Sequence, residues 1–287
     1  FSGDLGNSQA ALLRDPDIIK EADIVLLEST YGDRNHRSME ATLDEFEQVI
    51  LQASENGGNI LIPSFAVGRT QEIIFRLGEL YQQGKLAQQR VFLDSPMAIA
   101  VTEIYHRYQD VYNEEDLDAI SDSAERVHSQ NQSLHSLLPI LSYTTSTEES
   151  IALNKVVSGA IIIAGSGMCN GGRIRHHLKQ NLWRKQSHVV FVGFQAMGTP
   201  GRKIIDGATH VKMAGEDIAV RAQIHTLGGF SAHASQEQLI DWLSHFNTLP
   251  KIYLIHGEEG AKHTLQRAIK EKGWNAFIPH FEETIRF

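Results

Sequence analysis

Four short motifs place a carboxylate or a histidine after an apolar run or at a glycine-containing turn. They are Phe1-Ser2-Gly3-Asp4, Glu28-Ser29-Thr30-Tyr31-Gly32, Gly229-Phe230-Ser231-Ala232-His233 and Ile255-His256-Gly257-Glu258. Ligands of open α/β sheets collect at the carboxyl ends of strands. Each motif alone is weak, because a single Asp or His at a strand end is more often a cap or a satisfied hydrogen-bonding group. The set of four favours a functional site.

The elements that must position these motifs alternate between strand and helix. Short apolar runs predict strands at residues 22–28, 59–64, 90–94, 138–143, 159–164 and 188–193. Amphipathic stretches predict helices at residues 39–54, 68–83, 97–108, 147–156 and 172–183. This alternation is typical of an α/β fold in which helices cover both faces of a mostly parallel sheet.

The pattern changes near residue 212. Residues 211–213 and 218–225 predict an antiparallel hairpin. Further elements are predicted as helices at 236–246 and 261–272, a strand at 251–255 and a last short strand near residue 285. The stretch 113–132 is polar and poor in apolar residues, which is typical of a mobile segment. A parallel α/β block therefore lies between two pieces of a different kind.

Composition limits the class of protein. The 287 residues suit one large or two ordinary domains, and 41 % hydrophobic residues suffice for a core. No apolar run approaches the ~20 residues that span a bilayer, so no membrane partner is expected. The single cysteine, Cys169, excludes an internal disulfide framework and suits a reducing compartment such as the cytoplasm. The net charge of −9 means that any RNA contact needs a local basic surface or a metal.

The four motifs resemble the last metal motif of a metallo-β-lactamase fold followed by the three motifs of β-CASP nucleases. Order, local sequence and spacing match over essentially the whole chain. The nearest resemblance is to bacterial and archaeal ribonucleases related to the endonuclease subunit of the pre-mRNA 3′-end cleavage complex. It implies a parallel-sheet β-CASP domain at residues 36–212, inserted in a partial metallo-β-lactamase αββα domain at residues 1–35 and 213–287.

The resemblance also implies roles. Asp4 matches a carboxylate that bridges two zinc ions, and His256 matches a terminal zinc ligand. His233 matches the histidine near the scissile phosphate, and Glu28 matches the acid that orients it. A two-zinc site supplies hydroxide for hydrolysis of single-stranded RNA. A carboxylate beside His233 favours its protonated form, which then stabilises the pentavalent state or protonates the leaving 3′ oxygen.

His233 and His256 also have purely structural interpretations. The Ser231-Ala232-His233-Ala234 segment resembles a helix start, with Ser231 or Ser235 near the N-cap. That interpretation explains the serines and leaves the histidine without a reason. His256 alone would be a buried histidine bonded to a carbonyl. The functional interpretation is favoured for both histidines.

The family also needs an upstream His-x-His-x-Asp-His motif and one more histidine ligand. Among the 14 histidines, only His176-His177 are adjacent and none has the required spacing. Two ligands do not hold a two-zinc centre, because each zinc needs three or more protein ligands. The opening residues look like a strand end, so an upstream part is expected to have been removed. The chain alone is therefore expected to hold zinc poorly and to be inactive.

A glycine-rich segment, Gly165-Ser166-Gly167-Met168-Cys169-Asn170-Gly171-Gly172, follows one strand and opens a helix. Successive backbone N–H groups at a helix start form a phosphate site. By resemblance, Gly167, Arg173, His176 and His177 contact RNA. The alternative is a glycine turn followed by a solvated basic helix face. Cys169 is expected to be structural.

A second segment, residues 63–69, has the same strand–loop–helix form. The resemblance places Ser64 and Arg69 on backbone phosphates, and it places Ser231 at the substrate. Phe65 either stacks on a base or lies in the core, and the core is favoured. Asp94 belongs to a further family-like segment, in which Asp94 or Ser95 caps the following helix, and any role of the segment in the site is left open.

Two other functions stay open. A family member without zinc ligands acts as a non-catalytic RNA-processing scaffold, but retention of Asp4, Glu28, His233 and His256 argues against that. The DNA nucleases of the repair branch resemble this chain less, because they lack a histidine matching His256. A partial lactamase domain leaves apolar surface uncovered, so homo-oligomers are also expected.

Overall fold

The computed structural model describes residues 1–8, 10–109 and 134–285, and the single residues 112, 116, 118, 120 and 122. In chain order its strands are β1 (Ile24–Leu27), β2 (Ile60–Pro63), β3 (Arg90–Leu93), β4 (Leu141–Tyr143), β5 (Ala160–Ala164), β6 (His188–Phe191), β7 (His210–Met213), β8 (Glu216–Ala219), β9 (Gln223–Thr226), β10 (Lys251–Leu254) and β11 (Ala276–Phe277). Its helices are α1 (Met39–Asn56), α2 (Arg69–Gln82), α3 (Pro96–Arg107), α4 (Leu134–Leu137), α5 (Thr147–Ala152), α6 (Ile174–Asn181), α7 (Pro200–Ile205), α8 (Gln236–Ser244) and α9 (Glu259–Glu271).

The larger sheet has six strands in the order β4-β3-β5-β2-β6-β9. Every neighbouring pair is parallel. The central strand β5 reads Ala-Ile-Ile-Ile-Ala and is buried throughout, as both faces of a covered parallel sheet require. Ile161 packs with Phe46 of α1 and Phe75 of α2, whereas Leu61 packs with Leu178 of α6 on the other face. The predicted parallel sheet with helices on both faces is confirmed.

The smaller sheet consists of β1, β10 and β11, again in parallel. Its register sets Leu27 opposite Leu254. Helices α8 and α9 bury apolar faces in the same cluster, through Leu239 of α8 and Leu265 of α9 among others. This sheet determines where the residues that follow β1 and β10 emerge.

The predicted hairpin is partly wrong. β7 and β8 do pair in antiparallel fashion across the two-residue turn Ala214-Gly215, whose φ angles of 48° and 88° are typical of a tight hairpin. The predicted second strand, 218–225, is however split, because β9 pairs in parallel with β6 at the edge of the larger sheet. The last strand is also misplaced, since β11 lies at Ala276–Phe277 and residue 285 is in no strand.

The chain divides into two units. The first contains residues 1–10, 15–36 and 231–287, and the second contains residues 11–14 and 37–230. The second unit extends past the predicted boundary at 212–213, because β9 belongs to its sheet. The assignment of these ranges to named domains stays a prediction.

Two sequence expectations concern mobility and membranes. Most of the polar stretch at residues 113–132 lies outside the described residues. Among the residues that the structure describes, no helix has both the length and the apolar character needed to cross a bilayer.

Candidate metal and catalytic site

Glu28 and His256 emerge at the same edge of the smaller sheet. Each follows the end of a strand, and the two strands, β1 and β10, are parallel neighbours in register. Ser29 N donates to His256 O at 3.0 Å, and Ser29 Oγ donates to Ile255 O at 2.7 Å. These two hydrogen bonds join the loops that follow the strands.

The backbone of His256 is in the left-handed region, with φ of 47°. An L-residue adopts this conformation only at a cost, and such residues concentrate at functional sites. Gly257 follows, where a Cβ atom would lie 2.6 Å from the Ser29 carbonyl oxygen. The close approach therefore requires glycine at position 257.

Residues 1–4 lie beside the end of β1. Ser2 N donates to Leu26 O at 2.9 Å, and Glu28 N donates to Ser2 Oγ at 3.0 Å. Asp4 Oδ1 is then 3.6 Å from His256 Nδ1, and the two side chains are 62 % and 58 % exposed. Two chemically complementary groups thus stand in the open next to each other.

His233 is held by the chain that leads into α8. Ser235 is the N-cap of this helix and forms a capping box with Gln238. His233 N donates to Ser231 Oγ at 3.2 Å, and His36 Nε2 donates to His233 O at 2.9 Å. Ser231 is buried, so it fixes the backbone of this turn and its predicted contact with substrate is not supported.

The structure brings Glu28 and His233 together, with Oε2 and Nδ1 separated by 2.8 Å. Glu28 is buried, and its Oε1 has no hydrogen-bond partner in the described part of the chain. Because the carboxylate accepts, Nδ1 of His233 carries a proton. Nε2 remains as the atom through which His233 can act on a ligand.

Thr30 is a site residue to which the sequence analysis assigned no role. Its Oγ1 lies 3.3 Å from His233 Nδ1 and 3.2 Å from His256 Nδ1, so it touches both imidazoles. The two rings stack with centroids 5.6 Å apart. The available signal was position, since Thr30 is two residues after Glu28 in the same motif.

Asp4, His233 and His256 form a possible metal-binding group. One ligand atom from each lies within 4.8 Å of the others. One carboxylate oxygen and two imidazole nitrogens are donors that suit zinc, and the exposure of Asp4 leaves room for an ion. This is the one group of three or more such ligands within the described ranges.

A second group of polar residues surrounds Asp94 in the second unit. Asp94 is fully buried and accepts from His177 Nε2 at 2.5 Å and Ser150 Oγ at 2.6 Å on one oxygen. Its other oxygen accepts from Thr144 Oγ1 at 2.5 Å and Arg173 at 2.7 Å. Burial alone would raise the pKa of Asp94, but these hydrogen bonds outweigh it and lower the pKa well below 3.8.

This arrangement answers the open question about Asp94. Ser95, not Asp94, caps α3 by accepting from Ala98 N. Asp94 instead ties the end of β3 to α6 through His177 and Arg173.

Several predicted substrate contacts are corrected by burial. His177 is 1 % exposed and bonded to Asp94. Arg69 is 4 % exposed and paired with Glu72. Ser64 is buried and accepts from Thr70 Oγ1 at 3.0 Å. The side chains of His177, Arg69 and Ser64 therefore stabilise the second unit, and their burial keeps them from contacting a phosphate.

Other predicted contacts are accessible to different degrees. His176 is exposed, whereas Arg173 is largely occupied by Asp94 and by the Thr144 carbonyl at 3.0 Å. Gly167 is buried against the ring of Phe65. Phe65 itself is 41 % exposed, so the expectation that it lies in the core is wrong.

Cys169 lies in the glycine-rich segment and is buried as a free thiol. Burial raises the pKa of Cys169 to about 12. The thiol therefore stays protonated, in agreement with a structural role.

Two family models match the chain. The Beta-Casp domain matches residues 70–204, and the Zn-dependent metallo-hydrolase RNA specificity domain matches residues 217–279. The chain belongs to the β-CASP family. The second model contains His233 and His256, and the first contains the whole Asp94 group. Asp4 and Glu28 precede both matches.

Relatives in the β-CASP family match over nearly all of the chain. A ribonuclease of Thermus thermophilus is 39 % identical over 286 residues, which are 99 % of this chain and 63 % of that protein. Transcription termination factor FttA of Methanocaldococcus jannaschii is 29 % identical, over 100 % of this chain and 45 % of that protein. An RNase of Saccharolobus solfataricus is 26 % identical, over 95 % and 50 %. The chain thus spans about half the length of these relatives.

Proposed function

We propose that this protein takes part in zinc-dependent hydrolysis of phosphodiester bonds in single-stranded RNA. The observation that carries the proposal is the 2.8 Å contact between buried Glu28 and His233, inside a group that also contains Asp4 and His256. A histidine oriented by a carboxylate beside a metal-binding group is an arrangement for acid–base chemistry at a charged substrate. The relatives named as ribonucleases support RNA as the substrate.

In the proposed reaction, water attacks phosphorus and the bond from phosphorus to the 3′ oxygen breaks. Zinc, when bound, supplies water that is deprotonated near neutral pH and positive charge beside the phosphate. Glu28 accepts from Nδ1 of His233 and keeps Nε2 directed at the substrate. A proton at Nε2 passes to the leaving 3′ oxygen, so the product strand leaves with a neutral 3′-hydroxyl group.

The proposal assigns metal binding to Asp4 and His256, and it keeps His233 as the acid, because a nitrogen that carries a proton does not bind a metal. Two side chains do not complete the site of one zinc ion, since each ion usually needs three or more protein ligands. A two-ion centre therefore needs ligands beyond the described residues. We propose that the chain alone holds zinc weakly and cleaves RNA poorly.

The RNA backbone is assigned to the beginning of α6. Arg175 is partly exposed and His176 is exposed, and both follow the glycine-rich segment. These side chains replace the buried Arg69 and His177 as the proposed phosphate contacts. Arg173 contributes less, because Asp94 holds its guanidinium.

The test compares His233→Ala with the parent, each in a zinc-loaded form that cleaves single-stranded RNA. Loss of a general acid is expected to lower kcat by about 10²- to 10⁴-fold, measured with end-labelled single-stranded RNA. His263→Ala is the matched control, because His263 is an exposed histidine 3.7 Å from a carboxylate, that of Glu259, outside the metal group. Equal rates for His233→Ala and the parent protein would remove the assigned role.

Two further outcomes separate the alternatives. Equal cleavage of DNA of the same sequence would move the assignment to a DNA nuclease. RNA binding without cleavage by the zinc-loaded parent would support a scaffold.

A further inference from the structure

We propose that Phe65 is a platform on which a base of single-stranded RNA stacks, at the carboxyl edge of the six-stranded sheet. This inference rests on the proposed function, because it names a contact to the bases of the same RNA. This contact to a base is distinct from the proposed phosphate contacts of α6, because the uncharged ring of Phe65 does not neutralise a phosphate. Stacking on aromatic side chains is how proteins hold single-stranded bases.

The backbone of Phe65 is fixed. Thr70 Oγ1 donates to Phe65 O at 2.7 Å, and Ser64 Oγ donates to the same oxygen at 3.3 Å. Thr70 and Ser64 are both buried, and they also bond to each other. The ring therefore projects from a loop whose backbone is anchored by hydrogen bonds. Little backbone entropy is lost when a ligand covers the ring.

Two glycines make room for the ring. A Cβ atom at Gly167 would lie 2.6 Å from Cδ2 and Cε2 of Phe65, and one at Gly193 would lie 3.5 Å from Cε2. Gly167 follows β5 and Gly193 follows β6, the two neighbours of β2 in the sheet. The ring is thus held by two backbones while 41 % of Phe65 faces solvent. A held but uncovered ring is suited to a flat ligand.

The surroundings indicate what the ligand is. Val67, Met97 and Met197 follow β2, β3 and β6 at the same edge of the sheet, and they are 64 %, 67 % and 73 % exposed. Exposed apolar residues in the loops and helix starts of one sheet edge are typical of an interaction surface. Arg175 and His176 begin α6, which follows β5 at this edge. Flat apolar contact next to cationic groups matches a nucleotide chain better than an uncharged protein surface.

The experiment measures the Kd of a short fluorescein-labelled single-stranded RNA for this chain, by anisotropy over a range of salt concentrations. Phe65→Ala is expected to weaken binding about 10-fold or more, as loss of one stacked base does. The slope of log Kd against log salt stays that of the parent, because no phosphate contact is lost. Arg175→Ala is expected instead to make this slope shallower.

Two variants control for folding and for aromatic surface in general. Phe65→Trp retains a stacking face, so it is expected to keep the parent affinity and to lose indole fluorescence when RNA binds. Trp183→Ala removes an aromatic that is 49 % exposed beyond the other end of α6, and it is expected to leave Kd unchanged.

The results that overturn the inference are distinct from those that overturn the function. If the parent binds RNA and Phe65→Ala binds equally well, stacking is wrong and the RNA function stands. If the parent does not bind RNA, both are wrong. If Phe65→Ala changes only self-association in light scattering, the surface serves a protein partner and the inference fails.

Discussion

The Asp4 group of the first unit and the Asp94 group of the second contain the same chemical types in opposite surroundings. Both join an aspartate to histidine. Asp94 is fully buried, and each of its oxygens accepts two hydrogen bonds. Asp4 is 62 % exposed, and its contact to His256 is 3.6 Å long. A saturated carboxylate stabilises its own fold, whereas an exposed one keeps lone pairs for a metal.

The comparison shows that residue type alone does not separate a site from a structural network. His177 and His233 each bond to a buried carboxylate, and the two contacts differ by only 0.3 Å, 2.5 Å against 2.8 Å. The two histidines differ in their exposure to solvent and in their other neighbours. His177 is 1 % exposed, while the side chain of His233 is 18 % exposed and lies beside Asp4 and His256.

The largest expected effect is that of Asp94→Asn on folding. The amide keeps the volume but leaves Arg173 without its ion pair, so the free energy of unfolding is expected to fall by about 3–5 kcal/mol. Urea unfolding followed by circular dichroism measures this. Asp4→Asn, at an exposed carboxylate, is the control and is expected to change it by less than about 0.5 kcal/mol. Similar losses for both variants would break the comparison.

A smaller effect is expected from His188, a buried histidine that bonds to no carboxylate in the described part of the chain. Its Nδ1 lies 3.0 Å from His225 Nε2. Burial, with a contribution from His225, lowers the pKa of His188 to about 4 from 6.5. Between pH 6.5 and pH 4 the imidazole of His188 is therefore protonated in the unfolded chain and neutral in the folded protein. Stability is lost as the pH falls through this window, by about 1.4 kcal/mol for each unit of pKa difference and at most about 3.5 kcal/mol.

The measurement is the free energy of unfolding at several pH values for the parent and for His188→Gln. The variant is expected to flatten the profile between pH 4 and 6.5, whatever its stability at neutral pH. An unchanged slope would mean that His188 does not cause the loss of stability at low pH. A buried histidine would then affect the pH dependence of unfolding no more than an exposed one.

The smallest effect is expected from zinc. Zinc binding to the folded chain raises the free energy of unfolding by about 1.4 kcal/mol when free zinc is tenfold above its Kd. Thermal unfolding with and without zinc measures it, and a chelator should reverse it. Asp4→Asn and His256→Ala are expected to lose the zinc response. A full response in Asp4→Asn would mean that the ion binds elsewhere.

Much of the fold follows from local pattern. Buried runs such as that of β5 and strong caps such as Ser146, which begins α5, are local signals, and the elements that contain them are where the sequence indicates. β9 was predicted as part of a hairpin strand, and its true partner was missed because its pairing with β6 depends on residues more than 30 positions away in the chain. The short helix α7 was missed because only six residues carry its pattern.

Among site residues, Glu28 and His233 are recognisable because their motifs sit at predicted element ends. Burial is the property that the sequence could not show. Arg69 and His177 look like RNA contacts in a basic segment, but each finds an acidic partner, Glu72 and Asp94, inside the second unit. Phe65 looks like a core residue, yet two glycines distant in sequence hold its ring at the surface.

The long segment of the second unit, residues 37–230, begins and ends beside the same helix. Gly229 lies so close to α1 that a Cβ atom there would meet Thr42, and Phe230 packs edge-on against Phe46 of the same helix at 5.5 Å. The two ends of a sequence of nearly two hundred residues are thus joined by one helix. This arrangement is typical of an inserted module, but Ala11 and Leu12 also belong to its core, so a graft of residues 37–230 needs residues 11–14 as well.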